Sequence, residues 1–199
     1  MIEIKNINNS TPYSIFTNLY NNAFLNKQKS IEAISISSFN KDMNEVESRF
    51  VNLKYIDGDK WIFFSNYDSL KSKNFETHNQ VSCLFYWNTI NVQVRLKAKI
   101  KKCSNKFSDI HFQKRSITKN ALAISSNQSE PIRSYNEVIK NYDNTLKNMH
   151  ASTKRPDNWG GYSFTPYYFE FWEGHNSRLN KRDIYKVKNK DWLHSILQP

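Results

Sequence analysis

The most restrictive feature of this 199-residue chain is a strictly alternating segment near its middle. From residue 90 to residue 101 every second side chain is apolar, and Asn, Gln, Arg or Lys fills the positions between. The apolar positions are Ile90, Val92, Val94, Leu96, Ala98 and Ile100. A period of two residues is typical of a β-strand with one buried and one exposed face. The pattern therefore predicts a long half-buried strand over residues 90–103.

Shorter segments of the same character surround this strand. We expect further strands at 31–39, 47–56, 61–65, 81–87, 162–173 and 184–197. The Asp57-Gly58 pair predicts a hairpin between the second and third of these.

Segments with apolar residues at helical spacing lie between several of the predicted strands. The first helix is predicted at 12–26, with Thr11 as its N-cap and Pro12 as its first residue. Further helices are predicted at 70–77, where Ser69 is the cap, and at 104–114, 118–125 and 135–150. Five to seven hairpin-linked strands with helices between them predict a mainly β fold with helical additions (α+β), built as a closed antiparallel barrel.

Composition favours one domain covering residues 1–199. The hydrophobic content is only 38%, but the aromatic content of 15% supplies large side chains for a core. No run of about eighteen apolar residues occurs, and the first residues do not resemble a secretion signal. Cys83 and Cys103 lack metal-ligand spacing and are expected to be reduced thiols. We therefore expect a soluble, cytoplasmic protein without a membrane partner.

The formal net charge of +11 does not by itself indicate nucleic-acid binding. Lysine heavily outnumbers arginine and asparagine is abundant, which is typical of a compositional bias across a whole genome. No stacking aromatics interleave the lysines near residue 100, so a nucleic-acid partner is not expected.

Several familiar chemistries have no support in this chain. The sequence contains only four glycines and none of the glycine-rich nucleotide-binding motifs, and it lacks a G-x-S-x-G elbow. The five histidines are scattered without ligand spacing, so no metal site is expected. If the protein is an enzyme, a cofactor is expected to carry the difficult chemistry.

A series of motifs, each weak alone, occurs in a fixed order along the chain. They are Arg49–Lys54, the segment from Phe64 through Ser65, Asn66 and Ser69 to Lys71, Trp87 through Gln93 to Arg95, Phe112 with Arg115, Gln128-Ser129, Trp159–Tyr162, Phe169–Gly174, Arg178–Arg182, Trp192 and Leu197–Pro199. In order and spacing they resemble the pyridoxamine/pyridoxine 5′-phosphate oxidase family, and the resemblance covers residues 12–199.

The resemblance implies a split β-barrel homodimer that holds FMN in two clefts at the subunit interface. In that family the flavin takes a hydride from pyridoxine or pyridoxamine 5′-phosphate, and O2 reoxidises it with release of H2O2 and pyridoxal 5′-phosphate. Such a chain would act in vitamin B6 salvage. Residues 159–199 would then form the C-terminal dimerisation and substrate segment.

The resemblance also assigns residues to two sets. The FMN set comprises Arg49, Lys54, Phe64, Ser65, Lys71, Gln93, Gln128, Ser129, Trp172 and Arg182, of which Trp172 and Arg182 would reach FMN from the partner subunit. The substrate set comprises Lys54, His111, Arg115, Lys119, Arg178 and Asn180. Arg178 would be the catalytic residue, lying over the substrate ring opposite the flavin.

The cations can also be judged without the resemblance. Arg49 in the middle of an apolar strand favours a phosphate partner, and its alternative is a surface ion pair with Glu47 or Glu45. Lys54 follows at a spacing that a regular strand would place on the opposite face, so either a bulge or a strand end is required. Lys71 at a helix N-terminus favours a bound phosphate, and its alternative is a solvated lysine.

Two further residues of the FMN set also have simple alternatives. Gln93 lies on the polar face of the central strand and could contact the flavin ring or could be an ordinary surface glutamine. Trp172 could instead be a core or interface aromatic residue.

Some positions depart from the family pattern. Leu70 stands where the family usually has an arginine, which removes a cation from the FMN phosphate site. His111 replaces a tyrosine, Lys119 a serine and Asn180 a histidine on the substrate side, and Phe64 replaces a tyrosine. These departures leave open a flavin oxidase of the same fold with another substrate, similar to phenazine-biosynthesis oxidases, or an FMN-binding protein without turnover.

Overall fold

The computed structural model describes residues 1–199 as one ten-stranded sheet with five α-helices. The strands are β1 (Glu3–Lys5), β2 (Ala33–Asn40), β3 (Glu45–Asn52), β4 (Tyr55–Asp57), β5 (Lys60–Asn66), β6 (Gln80–Trp87), β7 (Val92–Lys102), β8 (Trp159–Glu173), β9 (Lys181–Lys188) and β10 (Asp191–Ile196). The helices are α1 (Thr11–Leu25), α2 (Leu70–Thr77), α3 (Asn105–Lys114), α4 (Ile117–Ser125) and α5 (Tyr135–Lys147).

The two ends of the sheet are joined into a barrel at the connection between β3 and β4. Its strand order is β1-β4-β5-β8-β7-β6-β2-β3, and β9 and β10 extend it beside β8. The chain passes directly from β3 at one end of this order to β4 near the other. In that step Leu53 N–H donates to Glu32 O at 2.9 Å, whereas Lys54 N–H donates to Ile62 O at 2.8 Å. Consecutive residues therefore bond to opposite ends of the sheet, which confirms the expected α+β split barrel.

The strand predictions need three corrections. The expected strand over 47–56 is interrupted at Leu53 and Lys54, where the sheet closes. The expected strand over 184–197 is a hairpin of β9 and β10, which turns at Asn189 and Lys190 with φ of 52° and 74°. The total is therefore ten strands rather than five to seven, and β1 pairs with β4 in parallel.

The alternation that predicted β7 is confirmed as a burial pattern. Its apolar residues from Val92 to Ile100 all point into the barrel, where they meet a group of buried aromatic rings. Helix α1 closes the barrel, and the Phe16 ring lies 4.4 Å from that of Trp61 between centroids. Each fully buried aromatic side chain contributes about 2–3 kcal/mol. The N-cap of α1 is Ser10, not Thr11, so Pro12 is the second helical residue.

Gly160 in β8 lets helix α3 and the Tyr67 side chain approach the barrel closely. A Cβ atom on Gly160 would lie 2.2 Å from the Tyr67 hydroxyl and 2.9 Å from Ser108 Oγ. Gly161 N–H donates to Ser108 Oγ at 3.1 Å, which ties the helix to the strand. This close packing brings the last turn of α3 against β5, where the candidate site lies.

Candidate active site

One large cavity, of about 910 Å³, opens between strands β3 and β5 and helices α2, α3 and α4. Ten of the fifteen predicted site residues line it, and five do not. The lining residues of the predicted set are Arg49, Lys54, Phe64, Ser65, Lys71, His111, Arg115, Lys119, Gln128 and Ser129.

The cavity lining is strongly cationic. Besides His111 it contains two arginines and three lysines, whereas Glu47 is its only acidic residue. That carboxylate is already occupied, since Glu47 Oε2 lies 2.8 Å from Arg49 Nη2. The remaining positive charge favours a ligand that carries one or more phosphate groups.

Lys71 has the most unusual environment of these cations. Its side chain leaves the first turn of α2 and is buried, with only 7% of the residue exposed. The ammonium donates to Ser65 Oγ at 3.2 Å and to Ser69 Oγ at 3.1 Å, and it forms no ion pair. Burial, together with the nearby charge of Arg49, lowers the pKa of Lys71 to about 8. A buried ammonium with only hydroxyl partners is costly unless an anion joins it.

Arg49 forms the ion pair with Glu47 that was the alternative to a phosphate partner, and the phosphate partner itself stays a prediction. Its side chain lines the cavity, and it also forms the surface-type ion pair with Glu47. Its environment is polar rather than apolar, because Nη1 also donates to Ser38 Oγ at 2.7 Å. Burial lowers the pKa of Arg49, and the contact with Glu47 opposes that effect.

The position of Lys54 follows from the closure of the barrel. Strand β3 ends at Asn52, and the strand alternation restarts at β4, so Lys54 need not point away from Arg49. Both side chains line the same cavity. The strand-end alternative therefore applies to Lys54, and no bulge is required.

His111 lies at the other end of the cavity in an aromatic stack. Its ring lies parallel to Phe64, with 3.6 Å between centroids, and its Nδ1 forms a 2.8 Å hydrogen bond with the Tyr55 hydroxyl. Burial lowers the pKa of His111 to about 4, and the positive charges of Arg115 and Lys54 add to the effect. The imidazole is therefore neutral at pH 7 and contributes no charge.

Arg115 lies beside this stack at the C-terminal end of α3. Its guanidinium lies over the ring of Trp159, 4.3 Å from the centroid, and Nη2 donates to Lys119 O at 2.9 Å. The Nη1 atom is buried without a hydrogen-bond partner. Burial lowers the pKa of Arg115 to about 10. A buried donor without a partner is rare, and an anionic ligand would satisfy it.

The remaining predicted cavity residues complete its wall near Lys71. Gln128 Oε1 accepts a hydrogen bond from Ser65 Oγ at 3.3 Å, and Ser129 occupies a turn with φ of 77°. Leu70, at the position where a cation was expected from the resemblance, lines the cavity and is 41% exposed.

The other five predicted residues lie outside the cavity of their own chain. Gln93, Trp172 and Arg182 are direct neighbours in register across β7, β8 and β9, and we call them the outer row. Arg178 and Asn180 lie in the turn before β9, where Arg178 has φ of 61° and Asn180 Oδ1 accepts from His175 N–H. A single chain therefore does not bring the two groups of predicted residues together.

Sequence reasoning missed two aromatic contributors to the site. Tyr55 hydrogen-bonds the His111 ring, and Trp159 supports the Arg115 guanidinium. Trp159 entered the sequence argument only as part of a motif, and Tyr55 had no local signal, because its contact depends on the docking of α3.

No cluster of three or more His, Cys, Asp and Glu side chains has an arrangement that could hold a metal ion. No helix combines the length and the apolar character needed to cross a membrane.

Known protein families match most of the chain in sequence. Residues 23–142 match the family described as pyridoxamine 5′-phosphate oxidase, and residues 159–199 match the pyridoxine 5′-phosphate oxidase C-terminal dimerisation region. A pyridoxine/pyridoxamine 5′-phosphate oxidase of Colwellia psychrerythraea is 32% identical over 96% of this chain and 88% of its own length. One of Herminiimonas arsenicoxydans is 35% identical over 76% of this chain and 72% of its own length.

Solved structures share the fold at lower sequence identity. PhzG of Burkholderia lata, in complex with tetrahydrophenazine-1-carboxylic acid, aligns with a TM-score of 0.89 at 22% identity, covering 94% of this chain and 92% of its own. A pyridoxamine 5′-phosphate oxidase-related, FMN-binding protein of Nostoc punctiforme aligns with a TM-score of 0.76 at 10% identity, covering 92% and 97%. The sequence matches to both parts of the chain establish that this protein belongs to the pyridoxamine 5′-phosphate oxidase family and is an oxidoreductase of that family.

Proposed function

We propose that this chain is an FMN-dependent oxidase that converts pyridoxamine or pyridoxine 5′-phosphate to pyridoxal 5′-phosphate and reduces O2 to H2O2. The observation that carries the proposal is the buried Lys71 ammonium, which has only hydroxyl partners within a cavity rich in cations. The names of the relatives support the same reaction.

The Lys71 end of the cavity fits the phosphate of FMN. Arg49 supplies a second charge there, since its proximity is one reason for the lowered pKa of Lys71. The Ser65 hydroxyl and the Gln128 amide can add neutral hydrogen bonds from the adjoining wall. A phosphate would satisfy the buried ammonium without a protein carboxylate.

The Arg115 end of the cavity fits a second phosphate, that of the substrate. Arg115 has a buried Nη1 donor without a partner, and Lys54 and Lys119 line the same cavity. The pKa of His111, lowered by burial and then by Arg115 and Lys54, supports the closeness of these cations to one another. Two separate cationic ends match a cofactor and a substrate that each carry one phosphate.

A second copy of the chain would complete the site. Neither the outer row nor Arg178 lines the cavity of its own chain, and the match to a C-terminal dimerisation region supports a homodimer. In this arrangement Gln93, Trp172 and Arg182 of one protomer would contact the FMN held by its partner. Arg178 and Asn180 would cover the substrate ring.

The protein side of the reaction is mainly positioning. When bound, FMN would supply the hydride acceptor and return the two electrons to O2. Lys54 and Arg115 would fix the substrate phosphate, and Arg178 would hold the substrate ring over the flavin while excluding water. This reaction needs no strong nucleophile from the protein.

The test is the anaerobic visible spectrum of FMN-reconstituted protein before and after addition of pyridoxine 5′-phosphate or pyridoxamine 5′-phosphate. We expect the oxidised flavin bands to bleach, and one H2O2 to form per pyridoxal 5′-phosphate once O2 is admitted. Pyridoxine without its phosphate is the matched control and should bleach the bands only at far higher concentration.

The other outcomes separate the alternatives. Failure to bind FMN would overturn the cofactor assignment. Flavin bands that bleach with neither vitamer would overturn the substrate assignment and favour an oxidase for another substrate. The neutral His111 ring and its aromatic stack are the observation that favours this second candidate, because they offer a flat apolar surface beside the cations.

A further inference from the structure

A carboxylate is buried on the outer surface of the sheet, immediately beside the outer row. Glu170 of β8 is only 2% exposed, although it faces away from the barrel core. Its register neighbours are Arg95 on β7 and Ile184 on β9. No residue of the cavity lining contacts it, and the proposed reaction gives it no part.

Three polar side chains surround this carboxylate. Arg182 binds Oε1 with two of its nitrogens, Nε at 3.0 Å and Nη2 at 2.8 Å. Arg95 Nη1 and the Tyr168 hydroxyl donate to the other oxygen, Oε2, at 2.9 Å and 3.0 Å. Burial by itself would raise the pKa of Glu170, but the hydrogen bonds from Arg182 and Tyr168 and the charge of Arg95 hold it below the usual value.

These contacts fix the plane of the Arg182 guanidinium. Two of its nitrogens are held by Glu170, and Nη1 donates to the Gln198 carbonyl at 3.0 Å. A guanidinium has five N–H bonds in one plane, so two remain without a partner in the chain. A side chain with many rotamers has thereby been restricted to a single orientation.

We propose that Glu170 is a positioning residue for Arg182, holding its two free N–H bonds in the orientation in which they contact FMN in the partner's cavity. This inference rests on the proposed function, because it requires that FMN binds across the subunit interface. It adds a residue that acts on the cofactor only through another side chain.

The test compares three variants of the full-length protein. Glu170→Gln removes the charge and keeps the shape. Glu173→Gln removes a carboxylate from the same strand, where it is exposed and lies 3.8 Å from Lys181. Arg95→Gln breaks the second ion pair of Glu170 and leaves the contact with Arg182 intact.

The measurements are FMN affinity by quenching of flavin fluorescence, the visible spectrum at saturating FMN, and the flavin midpoint potential. For Glu170→Gln we expect the FMN dissociation constant to rise about tenfold, because the charged Arg182 side chain is no longer held in place and its hydrogen bond to FMN is lost. The visible spectrum and the midpoint potential of bound FMN should both shift, because Arg182 no longer holds its two free N–H bonds in the same orientation. Glu173→Gln and Arg95→Gln should match the unaltered protein in spectrum and potential.

The outcomes are distinguishable from failure of the proposed function. If the unaltered protein binds no FMN, the proposed function is wrong. If it binds FMN and Glu170→Gln matches it in affinity, spectrum and potential, the positioning role is wrong. The role is also wrong if Arg95→Gln changes spectrum and potential as much as Glu170→Gln does, because a purely structural ion-pair cluster would behave that way.

A further variant covers the case in which Glu170→Gln does not fold. Glu170→Asp keeps the charge but shortens the reach toward Arg182. We expect it to fold and to shift the visible spectrum of bound FMN in the same direction by a smaller amount. An unchanged spectrum and FMN affinity in Glu170→Asp would overturn the inference.

Discussion

The cavity and the outer row differ in how completely the chain itself pairs the N–H donors of their cationic side chains. In the cavity, Lys71 and the Nη1 atom of Arg115 are buried and keep donors that no carboxylate of the chain meets. In the outer row, Arg182 is held by a buried carboxylate and is already oriented. The cations of the first region favour an anionic ligand, and the second region presents an arginine whose orientation the chain itself restricts.

From this difference we expect the two regions to control different properties of the enzyme. Cavity residues are expected to determine affinity for phosphate groups, and residues of the outer row and its neighbouring turn are expected to determine the geometry of the reaction. Each of the following predictions tests whether these two contributions separate in that way.

The largest expected effect is on turnover, in the variant Arg178→Ala. We expect FMN binding to be kept, and the rate of anaerobic flavin bleaching by pyridoxine 5′-phosphate to fall about a hundredfold, because the ring is no longer held over the flavin. Stopped-flow absorbance measures the rate. Arg133→Ala, an exposed arginine outside the cavity, is the control, and normal bleaching in Arg178→Ala would remove this residue from the site.

The next effect is on cofactor affinity, in the variant Lys71→Met. Loss of the buried charge should raise the FMN dissociation constant about fiftyfold, as expected for a charge-assisted hydrogen bond to phosphate. Fluorescence titration with FMN measures it. Lys73→Met removes an exposed lysine from the same helix and should have little effect. Equal losses in the two variants would indicate a general electrostatic effect rather than a built phosphate site.

The sequence predicted the parts of this fold that depend on local pattern. The alternation of β7 and the Asp57-Gly58 hairpin were found because periodicity and turn residues are local signals. The three-residue strand β1 is too short for any period. The β9–β10 turn was missed because it uses Asn189 and Lys190 in the left-handed region instead of glycine.

The site was predictable as a set of residues but not as an arrangement. The motif residues include most of the cations of the cavity, yet nothing local indicated that Trp159 would support Arg115. Glu170 alternates with Phe169 and Phe171, so the strand period assigns it to the exposed face. It is buried largely because Arg95 and Arg182 from neighbouring strands contact it, and such contacts depend on sheet register.

Coexpression of the two variants tests whether the cavity and the turn that together form one site belong to different chains. We expect coexpressed Arg178→Ala and Lys71→Met chains to recover about a quarter of normal turnover, because half of the dimers are mixed and each has one intact site. That is about twenty-fivefold above Arg178→Ala alone, and FMN is kept at a concentration that leaves most Lys71→Met sites unloaded. Steady-state assays of the purified mixture measure it. No recovery would mean that cavity and turn of the same chain form each site.

The pH dependence of FMN binding isolates Lys71 within the cavity. Its pKa is about 8 in the free chain, and a bound phosphate should raise it by stabilising the ammonium. The contribution of Lys71 to FMN affinity should therefore be nearly constant below about pH 7, and the affinity should fall by up to about tenfold per pH unit above pH 8. Titrations from pH 6 to pH 9 measure this. Lys71→Arg keeps its charge throughout, so its affinity should not fall, and an equal decline there would assign the effect elsewhere.

The smallest expected effect is a gain in FMN affinity, in the variant Leu70→Arg. Leu70 is partly exposed at the edge of the cavity beside Lys71, so an arginine there can reach a phosphate without being buried. A partly exposed charge contributes about 1 kcal/mol, so FMN affinity should rise about fivefold and turnover per bound flavin should stay constant. Fluorescence titration at low and high salt measures it, and the gain should shrink as salt rises. A gain in turnover without a gain in affinity would contradict the division between the cavity, which sets affinity, and the outer row with its turn, which sets geometry.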